Sequence, residues 1–136
     1  MKYKYNLKAN LDDEDEDIQD GNILGFYSKF KQSTFIQVPI DEDIKSPKYY
    51  RGVTQAINDL KEGDVVQFDI ASPGGQLDGL VSLLASIENT EAHVVGNIIG
   101  SASSAASILA LSCDEIYVSP FATMLVHNAS YGINGK

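Results

Sequence analysis

The sequence is short of the residues that staple or metallate a small protein. Its one cysteine, Cys113, cannot form a disulfide within the chain, which points to a reducing compartment. Its two histidines, His93 and His127, stand at no spacing with that cysteine that resembles a metal site, so neither a metal nor a cofactor is expected. No apolar run is long enough to cross a bilayer, and no signal-peptide core is present. Positive charge is scarce: 10 Lys and Arg against 19 Asp and Glu leave a formal charge of −9. Such a balance argues against nucleic acid and against an anionic membrane as partners. No internal repeat is evident.

What is present is a globular pattern. The chain of 136 residues, 43% hydrophobic, is long enough for one core. Apolar periodicity and breakers predict strand 34–40, helix 47–62, strand 65–70, helix 76–88, strand 93–99, helix 104–111, and strands near 115–118 and 123–127. Ser46 and Pro47 are read as N-cap and first helical residue, with Gly63 as the stop. In the helix 76–88, Leu77, Leu80, Val81, Leu84 and Ile87 share one apolar face. Strands alternating with helices make this an α/β fold with a mostly parallel sheet. The acidic run 12–17 repels itself, so residues 1–33 are read as an N-terminal arm with an acidic loop, and 34–136 as the folded domain.

Three segments carry chemistry. Ser72-Pro73-Gly74-Gly75 stops a strand and opens a helix, leaving the glycine N–H groups near a helix start, where a developing negative charge is stabilised. Gly100-Ser101-Ala102-Ser103-Ser104-Ala105-Ala106 repeats that arrangement, with Gly100 breaking the strand and Ser104 at the junction. A serine on a strand-to-helix turn projects its Oγ where backbone N–H groups converge, although Gly-x-Ser-x-Gly itself is absent. Ser101, Ser103, Ser104 and Ser107 can equally be small packing residues or caps. His127 ends the last strand beside a polar loop, where an imidazole can reach a cleft or serve as a satisfied core residue. His93 opens its strand and reads as a strand-edge residue, and Cys113 as a packing residue.

Taken together, Ile70-Ala71-Ser72-Pro73-Gly74-Gly75, the Gly100 to Ala106 segment and Pro120-Phe121-Ala122-Thr123-Met124-Leu125-Val126-His127-Asn128 resemble the Clp protease proteolytic subunit family. The His-Asn ending is most similar to phage and prophage forms, some of which act in capsid maturation. The resemblance covers about residues 34–132 and implies the Clp/crotonase-like fold of repeated βα units. It also implies Ser104 as nucleophile, His127 as general base, and the backbone N–H groups of Gly75 and Ala105 as the oxyanion hole. The implied substrate is a polypeptide, the implied state a homo-oligomer, and the implied partners an unfoldase or a capsid-assembly protein. Location would be the cytoplasm, the host's if phage-encoded.

Two departures qualify the resemblance. Ala71 stands where the family usually has asparagine. The aspartate that orients the histidine lies well downstream in the family, beyond Lys136 here, so this chain alone is expected to be feeble unless Asp69, Asp78, Asp114 or a partner subunit substitutes. Lys136, terminal and expected to fray, is a poor base for a Ser-Lys pair. A catalytically weak or inactive assembly subunit, and a crotonase-type acyl-CoA enzyme with its own two-N–H oxyanion hole, are the alternatives.

Overall fold

The computed structural model describes residues 33–127, all within the unit Lys31–Lys136. The N-terminal arm before Ser33, its acidic run 12–17, and Lys136 lie outside the described residues. Five strands form one wholly parallel sheet: β1 (Phe35–Ile40), β2 (Val65–Ser72), β3 (His93–Ser103), β4 (Glu115–Val118) and β5 (Thr123–Leu125). The order is β1-β2-β3-β4, with β5 taking over the β4 side of β3 at its far end. Three helices connect them: α1 (Arg51–Asn58), α2 (Leu77–Asn89) and α3 (Ala105–Leu111). The α/β fold with a mostly parallel sheet is therefore as the sequence predicts.

Alternation decides which face is covered. Val38 and Ile40 of β1, Val66, Phe68 and Ile70 of β2, and Val94 and Ile98 of β3 are buried and pack with Ile57, Leu80, Leu83, Leu109 and Ala110 of the helices. Burying a side chain such as Phe68 is worth about 1.5–3 kcal/mol. The opposite face carries a polar row across the register: Gln37 beside Gln67, and Asp69 beside Asn97. The Asp69 carboxylate accepts from the side-chain amides of Gln37, Gln67 and Asn97. Burial alone would raise its pKa, but the three amides outweigh that and hold it below the ordinary carboxylate value.

The predicted helix 47–62 is instead a 3₁₀ turn, Pro47–Tyr49, followed by α1, which stops at Asn58. Tyr50 is the joint, with φ −97° and ψ 3°, a conformation off the helical well. The C-terminal end is cut short because Leu60 N–H donates to Ile57 O at 3.2 Å and Lys61 N–H donates to the Asp64 carboxylate at 2.8 Å, so neither amide continues the α ladder. Ser46 caps with backbone geometry only and makes no side-chain cap bond. On α2 the buried residues are Gly79, Leu80, Leu83 and Ser86, while Leu77 and Val81 are 53% and 54% exposed. The inward stripe is thus rotated from the expected one, because Gly79 packs directly on the Lys45 backbone and brings that side of the helix closest to the fold.

Gly100 does not break β3, which runs on to Ser103. The register passes from Ile70 opposite Ile98 to Ser72 opposite Ala102, so β3 bulges around residues 99–101. A Cβ at Gly100 would stand 3.0 Å from Ala71 Cβ, which is why the bulge carries a glycine. Beyond it, β3 leaves β4 and pairs with β5, and the strand end is aimed at a new neighbour.

Candidate active site

The bulge places three backbone features at the C-terminal ends of β2, β3 and β5. Gly74 and Gly75 follow β2 with φ of 103° and 149°, values that L side chains rarely adopt. Buried Ser72 ties the turn down: its Oγ donates to Glu42 O at 2.7 Å and accepts from Gly74 N–H at 3.1 Å. Ser72 is a positioning residue whose role the sequence reading missed, although a serine two residues before a glycine is a turn signal. The segment before the 3₁₀ turn zips onto the glycines, Ile44 N–H donating to Gly74 O at 2.7 Å and Gln76 N–H to Ile44 O at 2.8 Å. That bridge takes up the Gly74 carbonyl and the Gln76 N–H and leaves the Gly75 N–H outside it.

Ser104 begins the next junction. It is the one non-glycine residue with positive φ among the described residues, at φ 54° and ψ −122°. Holding an L-residue there costs on the order of 1–3 kcal/mol, and the surroundings pin it. Its N–H donates to Leu125 O at 2.8 Å, and its carbonyl accepts from Ser107 N–H at 3.0 Å and Ser107 Oγ at 2.6 Å. Ala105 is the first residue of α3, so its N–H has no intrahelical acceptor. The two glycine-rich and serine-rich turns touch: a Cβ built on Gly74 would lie 2.7 Å from Ser103 O, 2.8 Å from Ser104 Cβ and 3.1 Å from Ala105 N. Only a glycine admits that approach, which sets the Gly74 backbone against Ser104 Cβ and Ala105 N.

His127 is exposed and lies two residues past Leu125, whose carbonyl holds Ser104 N–H. Ser104 and His127 thus lie just past the C-terminal ends of the neighbouring strands β3 and β5. Asn128, next to His127, lies outside the described residues.

The three internal aspartates fall elsewhere. Asp69 is occupied by amides on the outer face. Asp114 sits at the N-terminal end of β4, accepting from Val94 N–H at 2.7 Å with His93 Nδ1 at 3.7 Å. Asp78 is an exposed acid in the first turn of α2. His93, as expected, is an exposed strand-edge residue, with Glu115 3.4 Å from its Nε2. Cys113 donates to Leu109 O at 3.4 Å, and burial, then the Asp114 charge, push its thiol up to about 12, so it stays protonated and packs. Among the described residues no group of three His, Cys, Asp or Glu side chains could hold a metal ion, and no helix is long and apolar enough to cross a membrane.

Comparison with known proteins bears on this corner. The family model of the Clp protease matches residues 24–136. No curated protein matches the sequence. Among solved structures, the 1510-N membrane-bound stomatin-specific protease, as a serine-to-alanine variant, superimposes with a TM-score of 0.60 at 17% identity, over 79% of this chain and 55% of that one. A lysine-to-alanine variant of that protease in complex with a substrate peptide gives a TM-score of 0.57 at 17% identity, over 70% and 45%. The 1510-N membrane protease specific for a stomatin homolog from Pyrococcus horikoshii gives 0.52 at 17% identity, over 68% and 49%. The likeness at that identity is one of fold, and the chain spans about half the length of these structures. Because the family model spans both the glycine turn and the Ser104 junction, this chain belongs to the Clp protease family.

Proposed function

We propose that the chain is a serine endopeptidase of the Clp type, with Ser104 as nucleophile, His127 as general base, and the N–H groups of Gly75 and Ala105 as the oxyanion hole. The observation that carries this is the strained Ser104 backbone, φ 54° and ψ −122°, held against Gly74 at the start of α3. Strain of that size persists where a fold over-determines it, and such outliers cluster at active sites. In the mechanism, His127 takes the Ser104 proton as Oγ attacks a peptide carbonyl, and the oxygen that becomes negative is held by the two amides. It then returns the proton to the leaving amine, and water repeats the sequence on the acyl-enzyme. Each amide is worth on the order of 2.7–4 kcal/mol to such a transition state.

A fluorophosphonate probe tests this reading. It should label Ser104, and Ser104→Ala should abolish labelling. Labelling at Ser101 or Ser103 would put the nucleophile in another register, and an unlabelled wild type would favour the second reading, a non-catalytic assembly subunit.

That second reading shares an observation with the first. Ile116, Tyr117, Val118, Met124, Leu125 and Val126 are exposed along β4, β5 and the residue after it, and Phe121 between them is 97% exposed. We read this apolar strip as a self-association surface, which makes the chain a homo-oligomer. A monomeric mass at micromolar concentration by light scattering would overturn it. The phage and prophage subgroup, and an unfoldase or capsid-assembly partner, belong to the same proposal through the His127-Asn128 ending.

A further inference from the structure

Positive charge is scarce in this chain, and three of the four Lys and Arg among the described residues stand close together between residues 45 and 51. Lys45, Lys48 and Arg51 line an open pocket of about 750 Å³ together with Ser46, Tyr49 and Gln76. The only other Lys or Arg between residues 33 and 127 is Lys61. Lys45 is partly neutralised by Glu42, whose Oε2 lies 3.2 Å from its Nζ, while Glu42 Oε1 accepts from Tyr49 OH at 3.0 Å. Lys48 and Arg51 have no acidic partner among the described residues. Nor does α1, which Arg51 begins, compensate them. The first turn of α1 contains no acid, and its N-cap, Tyr50, makes no side-chain cap bond, so the positive end of the helix adds to two cations without an acidic partner among the described residues. In a chain of net charge −9, Lys48 and Arg51 stand here as cations, while Glu42 and Asp43 both act on Lys45.

The pocket adjoins the glycine turn. Gln76 follows Gly75 directly and donates to Ile44 O at 2.8 Å, and Lys45 follows Ile44, whose N–H holds Gly74 O at 2.7 Å. Gln76, one residue past Gly75, thus lines the pocket. We infer that Lys48 and Arg51 form a specificity pocket for an acidic side chain of the substrate, close to the bond that is cut. This rests on the proposed peptidase reading for the position of the carbonyl; the charge of the pocket does not depend on it.

The test uses the full 136-residue chain and two dye-labelled hexapeptides that differ only in two Glu or two Gln residues, read by fluorescence anisotropy at low salt. Two exposed ion pairs support a preference of roughly three- to tenfold for the Glu peptide, shrinking as salt rises. The Lys48→Gln/Arg51→Gln variant should lose the preference, and Lys48→Glu/Arg51→Glu should reverse it toward a lysine peptide. The Glu peptide should also slow fluorophosphonate labelling of Ser104 more than the Gln peptide does. Equal binding of the two peptides to the wild type, or a preference that survives charge reversal, would overturn the inference. So would a preference that emerges only when the acids of residues 12–17 are changed to amides, since the pocket would then serve the chain's own acidic run. Binding of the Glu peptide without an effect on labelling would separate the pocket from the substrate path and overturn it as well. Absence of labelling altogether refutes the Ser104 reading instead, a result the anisotropy arm does not share.

Discussion

The two rims of the sheet contrast in how they treat their backbone. At the N-terminal rim, polar groups meet partners in relaxed conformations: Asp64 accepts from Thr34 and Lys61 amides at 2.7 and 2.8 Å, Asp114 accepts from Val94 N–H, and Glu115 accepts from Tyr117 OH at 2.7 Å. Its one positive φ is Gly63 in a turn. At the C-terminal rim, Gly74, Gly75 and Ser104 all have positive φ, and the amides of Gly75 and Ala105 are left outside the ladders. A parallel sheet binds ligands at the carboxyl ends of its strands, and the cost of shaping that end is stored as strain. The N-terminal rim therefore serves stability and the C-terminal rim is where we place the chemistry.

The sharpest way to break this contrast is to fill the glycines. Gly75→Ala would drive a Cβ to 2.4 Å from Ile44 O, and Gly74→Ala would press on Ser104 Cβ at 2.8 Å. Each should slow fluorophosphonate labelling on the order of 10²-fold or more and cost about 2–4 kcal/mol in denaturant unfolding. If either variant labels at the wild-type rate, the glycine turn is no part of the site. Ser104→Gly sharpens the same point in the other direction. Relief of the φ 54° conformation should stabilise the protein by about 1 kcal/mol while abolishing labelling, a gain that Ser104→Ala does not give. Equal stability of the two variants would mean that the serine bears no strain.

Asp114→Asn probes the other rim. It weakens the bond to Val94 N–H and the contact with His93, and calorimetry should show a loss of about 1 kcal/mol with labelling unchanged. A tenfold drop in labelling would mean that the rims are coupled.

Acid should lower stability through the carboxylates. Glu115 is held below its ordinary pKa first by the Tyr117 hydroxyl and then by His93, and Asp69 is held below its own by three amides that outweigh burial. A group whose pKa is lower in the folded state contributes stability above its unfolded pKa, near 4 for carboxylates, and that contribution fades as pH falls through the folded value. Unfolding followed from pH 6 to pH 2 should lose stability below about pH 4, less steeply in Asp69→Asn; an unchanged acid limb would remove Asp69 from the account. The smallest effect concerns Cys113. With its thiol pushed up to about 12, it should resist iodoacetamide at pH 8 in the folded protein and react on unfolding.

Much of this was legible in the sequence, and particular residues show where legibility stopped. The β-branched runs that became β1, β2 and β4 were read within a residue or two, because β-branched and aromatic residues between breakers signal a strand whether it is buried, as β2 is, or exposed, as β4 is. Ser104 stood out because small residues follow a β run there, and Gly74-Gly75 because paired glycines mark special backbone. The helix over 47–62 was overextended: Leu60 carries a helical period yet packs into the core from a tight turn, and Asp64 captures the amide that would have continued the ladder. Gly100 looked like a breaker because in isolation it is one; the close approach of Ala71 makes it a bulge.

By itself the sequence determined the elements, the sign of the chain's charge and the residue types that could react, since these follow from local pattern and composition. Tertiary structure alone decided that Gly74 would press against Ser104, that β5 would take Ser104 N–H, that Lys48 and Arg51 would open beside the glycine turn, and that Asp69 and Asp114 would lie away from His127. Those outcomes depend on strand order and on a bulge that shifts register, and contacts between segments tens of residues apart are fixed by how the whole sheet pairs, which no local window of residues specifies.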